Sequence, residues 1–193
     1  MGLGNPGREH ARDRHNVGFM VVEQLRERWG LPAPKQRFRG LFSEGRARDD
    51  AAVAGTRFRR VAALCPLTYM NDAGRSVGPA RGALRLALER VLVVHDEIDL
   101  PFGEVRSKLG GGLAGHNGLR SIARALGGDG FRRVRVGVGR PDSSDPDIVA
   151  AYVLSPFREP PELLAGLVAR AAEEVEGVVF APAADARCGD RNV

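Results

Sequence analysis

The chain has 193 residues, 43% of them hydrophobic, enough for one domain with a real core and only marginally enough for two. It holds no apolar run of the ~18 residues that cross a bilayer and no signal-peptide pattern, which argues against a membrane-spanning or exported protein. The net charge is +5 and only Lys35 and Lys108 are lysines, so the basic charge is almost all arginine. A polyanion such as nucleic acid would suit that charge, although a GC-rich genome, which favours Arg, Ala and Gly codons, gives the same bias.

In chain order, "MGLGNPG" reads as a loop with no strand in front of it. Residues 14–30 predict a helix, with Val17, Met20, Val21 and Leu25 at helical spacing and Gly30 at its end. "LPAPKQ" reads as a linker. "RGLFSEGRA" and "RFRRVAALC" predict a hairpin or meander, with Ala54-Gly55 between them and Pro66 closing the second strand. Residues 71–88 predict a helix with Val77, Ala80, Leu84 and Leu88 along one side. Residues 90–109 read as one strand segment. Its run Val91–Val94 is continuously apolar, as in a strand covered on both faces, and His95 and Asp96 stand at the carboxyl end of that run. "KLGGGLAGHNG" then packs five glycines into eleven residues. Glycine weakens helices and strands alike, so such a run implies a close backbone approach. "NGLRSIARAL" predicts a helix. "FRRVRVGVGRP" alternates, with Val134, Val136 and Val138 facing one way and Arg133 and Arg135 the other. "IVAAYVLS" reads as a further strand or strand end. Residues 160–178 predict a helix with Pro161 in its first turn, and residues 181–193 a loose tail.

Strands and helices mostly alternate. The expected fold is α/β, a single domain over residues 1–180 with a central twisted mixed sheet covered by helices on both faces. In such sheets the ligand site lies beyond the carboxyl ends of strands, where Asn5, Asn71, His95, Asp96 and Glu97 fall.

Several motifs fail their tests. "GLGNPG" matches a dinucleotide fingerprint in its glycines, but no strand precedes it and Pro6 occupies the turn. The run at 110–118 lacks the Gly-Lys-Ser/Thr of a phosphate-binding P-loop. "HDE" is not accompanied by the Pro-Cys-x-x-Cys that a zinc deaminase needs. Gly-x-Ser-x-Gly does not occur, so hydrolysis would use a water activated by histidine and not a covalent intermediate. Of the four histidines, His15 sits between Arg14 and Asn16 at a helix start. His116 sits at another helix N-terminus, where the dipole favours a neutral, hydrogen-bonding imidazole. Asp96 is read either as a turn cap or as a carboxylate orienting a histidine. Cys65 and Cys188 have no metal-like spacing; they are expected as free thiols in a reducing compartment, although two cysteines could pair.

Taken in order, "GLGNPG", "RHNVGF", "PLTYMNDAG", "VVHDEIDLPFGEVRSKLGGGLAGHNGLRSI" and "FRRVRVGVGRP" resemble the signature segments of bacterial peptidyl-tRNA hydrolases. The resemblance runs from Gly2 to about Leu154. It implies cleavage of the ester between a peptide and the 3′-terminal ribose of tRNA, recycling tRNA from stalled translation. It also implies a cytoplasmic monomer that needs no metal or cofactor. By motif match His15 is the expected general base and Asp96 the carboxylate that orients it. Asn5 and Asn71 would hold the peptide main chain and stabilise the oxyanion. Asn117 would partner the attacking water or substrate, and Met70 and His116 would line the cleft. Lys108 and Arg135, then Arg106 and Arg133, resemble the family's basic surface for tRNA phosphates. There are two departures. Family members usually carry a hydrophobic strand before "GLGNPG", whereas this chain begins inside the motif. The first strand is therefore expected to be truncated and the loop carrying Asn5 loosened, unless the true start lies upstream, which is the favoured reading. His10 also stands where the family often has tyrosine. The alternative to an active enzyme is a truncated relative that only binds tRNA. A dinucleotide-dependent oxidoreductase rests on the glycines alone.

Overall fold

The computed structural model of the protein describes residues 1–49 and 57–181. The apolar run after Arg90 becomes β4 (Leu92–Glu97), and β6 (Arg132–Gly137) lies parallel to it, with Asp96 opposite Val136. β5 (Val105–Leu109) adds to β6 antiparallel, so this sheet is mixed and runs in the order β4-β6-β5. The segment read as one strand from 90 to 109 is thus two strands. Between them the chain turns at Pro101 and at Gly103, whose φ of 97° favours glycine.

Helices cover both faces of the mixed sheet. On one, Val94, Val134, Val136 and Val138 pack against α1 (Val17–Arg28) and α5 (Pro161–Phe180). The buried residues Val17, Val21 and Leu25 of α1 recur every fourth position, which keeps them on one stripe. On the other face, Val93 and Phe131 pack with α2 (Gly74–Leu84) and α3 (Asn117–Leu126), through Val77, Ala80, Leu119 and Ile122. The result is a single α/β domain with a mixed sheet flanked by helices.

The remaining strands form a separate antiparallel sheet, β1 (Lys35–Arg37), β2 (Gly40–Asp49) and β3 (Arg57–Pro66), in that order. β1 falls in the stretch read as a linker. It is three exposed residues with no apolar pattern to mark it, and the ladder to β2 alone makes it a strand. Ala54-Gly55 lie outside the described residues, as do Cys188 and the tail from 182 onward. Cys65 is a free thiol.

Met1–Leu3 join the two sheets. Leu3 N–H donates to the Val94 carbonyl (2.9 Å), Val94 N–H to that of Met1 (2.8 Å), and Gly2 N–H to that of Leu64 on β3 (3.1 Å). Beyond Met1 the sheets part around a cavity of about 350 Å³, walled by Leu25, Trp29, Ala62, Leu92 and Val175. None of the candidate site residues lines it.

The reading of "IVAAYVLS" as a strand is corrected: residues 146–153 form α4 (Pro146–Val153). The Asp145 carboxylate accepts from the Asp147 N–H (2.8 Å) and Pro146 takes the first turn, an N-terminal signal that outweighs the β-branched residues.

Candidate active site

The carboxyl end of β4 delivers three consecutive buried polar residues, His95, Asp96 and Glu97. Asp96 receives two imidazoles on one oxygen: His15 Nδ1 at 2.8 Å and His116 Nε2 at 3.2 Å. The rings of His15 and His116 lie 5.1 Å apart between centroids.

His15 arrives from the 3₁₀ turn Arg14–Asn16 that leads into α1. Its Nδ1 hydrogen is spent on Asp96, which leaves a lone pair on Nε2. Burial pushes the His15 pKa down, but the charge and hydrogen bond of Asp96, with the charge of Asp13, outweigh it. The net shift is upward from the usual 6.5. Burial alone would raise the Asp96 carboxyl; the two imidazoles instead pull it well below the usual carboxylate range. Asp96 therefore stays ionised.

His116 is the N-cap of α3. Its Nδ1 accepts from the Gly118 N–H (3.1 Å), so Nδ1 carries no proton and Nε2 is the donor to Asp96. This agrees with the hydrogen-bonding role expected at that helix start. His95, fully buried edge-on to His116, donates from Nδ1 to the backbone carbonyl of Asp96 (2.7 Å). Burial, then the neighbouring His116, lowers its pKa to about 3.

The "GLGNPG" loop is fixed, contrary to the expectation of loosening. Asn16 clasps the Asn5 main chain in both directions: Asn5 N–H donates to Asn16 Oδ1 and Asn16 Nδ2 to the Asn5 carbonyl, each at 2.9 Å. Asn5 Oδ1 accepts from the Met70 N–H (3.0 Å). The Asn5 amide is thereby oriented, with its NH2 group available to a ligand. Met70 is buried, and its sulfur lies where a side chain on Gly118 would sit, 2.5 Å from an added Cβ. That contact ties "YMN" to "HNG". Asn71 and Asn117 are exposed, on the turn before α2 and at the start of α3.

Sequence reasoning missed Asn16 as a positioning group, although it adjoins His15 in "RHN". It also missed Arg14, whose guanidinium lies 4.3 Å over the Tyr152 ring and donates to the Ser155 hydroxyl and Pro156 carbonyl, each at 2.8 Å. Partners 141 and 142 residues away leave no local signal. His10 hydrogen-bonds Asp13 through Nδ1 at 2.8 Å.

The basic candidates split. On β5 and β6, Arg106 stands opposite Arg135 and Lys108 opposite Arg133. Lys108 and Arg106 are exposed, the latter paired with Glu104 (2.7 Å). Arg135 is 25% exposed and leans on the buried Glu97 (2.9 Å). Arg133 departs from the expected solvent-facing role: it is 2% exposed and its guanidinium donates into the glycine loop.

Among the described residues, His15, Asp96 and His116 are also placed to share a metal ion, their ligand atoms all within 4.8 Å of one another. Two N–H···O contacts of ordinary length account for the same arrangement. No serine or cysteine hydrogen-bonds His15 among the described residues.

An α/β domain whose strand ends hold a histidine–carboxylate pair beside oriented amides, without a covalent nucleophile on the histidine, has the layout of a hydrolase that uses water. The family model for peptidyl-tRNA hydrolase matches residues 1–188. The peptidyl-tRNA hydrolase of Bradyrhizobium diazoefficiens is 50% identical over 157 residues, 81% of this chain and 72% of that protein. The one from Geobacillus thermodenitrificans is 43% identical over 94% of this chain and 92% of its own. The crystal structure of the Acinetobacter baumannii peptidyl-tRNA hydrolase superposes with a TM-score of 0.78 at 38% identity, covering 92% of this chain and 86% of that one. The chain belongs to the peptidyl-tRNA hydrolase family.

Proposed function

We propose that the protein hydrolyses the ester between peptide and tRNA with His15 as general base. His15 Nε2 takes a proton from a water whose oxygen attacks the ester carbon. The tetrahedral intermediate then collapses, the bond to the ribose oxygen breaks, and the imidazolium returns the proton to that oxygen. An ester is an easier target than an amide, so one positioned water and one base suffice. Asp96 holds the reactive tautomer and balances the imidazolium. Asn5 NH2 and the exposed Asn71 donate to the peptide main chain and the developing oxyanion, usually the largest catalytic contribution. Asn117 partners the water or the substrate, and Met70 and His116 line the cleft. Lys108, Arg135 and Arg106 meet tRNA phosphates, contacts that are blind to base sequence. Action as a cytoplasmic monomer without metal or cofactor belongs to the same reading and rests on the family resemblance. No helix among the described residues is long and apolar enough to cross a membrane.

The observation that carries the reading is the 2.8 Å contact between His15 and Asp96, within a chain of this family. The firm hold of Asn16 and Met70 on the Asn5 loop counts against the binder-only alternative. The test is an N-blocked aminoacyl-tRNA carrying a labelled amino acid. Release by the wild-type protein and none by His15→Ala is expected; no release by the wild type would overturn the proposal.

A further inference from the structure

Arg133 is a buried cation with no carboxylate on it among the described residues. Its Nη1 donates to the Gly112 carbonyl (2.8 Å) and its Nη2 to those of Gly111 (2.9 Å) and Gly110. Three successive carbonyls turn toward one guanidinium. The φ angles of Gly110 (64°) and Gly111 (80°) make that possible, and residues with a Cβ resist them. At Gly111 a Cβ would also stand 2.8 Å from Lys108 Cε. The glycine run therefore wraps an arginine of the protein itself.

The loop next makes one turn, with His116 N–H on the Leu113 carbonyl (2.9 Å), and reaches the imidazole that bonds Asp96. Both ends of this tie are in neighbouring strands of one sheet: Arg133 on β6 holds Gly110–Gly112, and Asp96 on β4 holds His116. Only three residues lie between Gly112 and His116, so freedom at the first is passed to the second.

We infer that Arg133 is a positioning residue for catalysis, which acts by clamping the Gly110–Gly112 carbonyls so that His116 stays on Asp96 and Asn117 stays at the cleft, and that it is not a tRNA phosphate ligand. The inference rests on the proposed reading of this site. Displacing a catalytic group by about 1 Å can cost about a hundredfold in rate. A phosphate ligand, by contrast, shows itself in salt dependence: each lost contact lowers the slope of log affinity against log salt by about 0.7–0.9.

The experiment compares wild type, Arg133→Met and Arg133→Lys, each first checked for cooperative unfolding. Release of the labelled N-blocked amino acid is followed against substrate and salt, and amide hydrogen exchange is followed at His116 and Gly118. Arg133→Met is expected to lower kcat about tenfold or more, to leave the salt slope of KM unchanged, and to lose protection at both amides. Arg133→Lys should recover part of both, because one ammonium cannot bridge three carbonyls as a planar fork does. If Arg133→Met does not fold, Arg133→Lys carries the same readouts, each expected between wild type and loss. A raised KM with a shallower salt slope and intact kcat would overturn the inference, and so would unchanged protection at His116 and Gly118. A wild type without activity would defeat the functional reading instead, while the exchange data would still decide whether Arg133 holds the loop.

Discussion

Asp96 serves two imidazoles through one oxygen, and that sharing sets the pH behaviour of His15. As the proposed base, His15 works only when neutral. Its pKa is raised, so the rate should fall as pH drops through that raised value. Asp96→Asn removes the negative charge while the burial that pushes His15 down remains. The inflection of kcat against pH should therefore move to lower pH, with the plateau reduced about a hundredfold or more. An inflection that stays in place would mean that another group titrates. His95 has the opposite sign. It is held neutral, with a pKa lowered to about 3, while in the unfolded chain it protonates near 6.5. Its contribution to stability is intact above pH 6.5 and is lost progressively as pH falls toward 3. His95→Gln should flatten that part of the profile in denaturant titrations, and an unchanged profile would remove His95 as its source.

At the scale of elements, the first turn of α1 lies on bare backbone. A Cβ on Gly18 would stand 2.4 Å from the Val94 carbonyl oxygen and 2.5 Å from that of Leu3. Neither is a side-chain tip that can swing aside. Gly18→Ala must therefore move α1 from β4 or part Met1–Leu3 from β4, and it should destabilise the fold by about 3 kcal/mol. His15 and Asn16 lie just before that turn, so kcat should fall as well. A variant as stable and active as wild type would contradict this packing. The elements with a hydrophobic pattern were legible in advance: α1, α2 and α5 by helical spacing, β6 by alternation, and β4 by its continuous apolar run, although that run does not mark where β4 ends and β5 begins. β1 and α4 were not. β1 has no apolar face and exists only through its partner, and the helix start at Asp145-Pro146 is written in caps, not in hydrophobic period.

For the whole molecule the issue is how a tRNA, a polyanion, is held. Lys108, Arg106 and Arg135 share one region across β5 and β6, although Glu104 and Glu97 partly neutralise the two arginines. Lys108→Gln with Arg135→Gln should weaken binding alike for different tRNAs. It should also lower the salt slope by about 1.4–1.8, at about 0.7–0.9 per contact. Sequence-selective loss would instead mean base readout. Chelation should leave activity unchanged; loss with EDTA and recovery with a divalent ion would place a metal on His15, Asp96 and His116.

Composition, period and five ordered motifs by themselves determined the α/β class and the family, because these depend on local pattern and on order along the chain. Only the tertiary structure decided what each group touches. Asn16 reaches back 11 residues to Asn5, Arg14 reaches across more than 140 to Ser155, and Asp96 divides one oxygen between histidines 81 and 20 residues away. Arg133 and Arg135 look alike in an alternating strand, yet one is sealed under a glycine loop and the other stands at the rim. Which of two equal charges is buried depends on the loop that folds over it, and no local pattern in the strand records that loop.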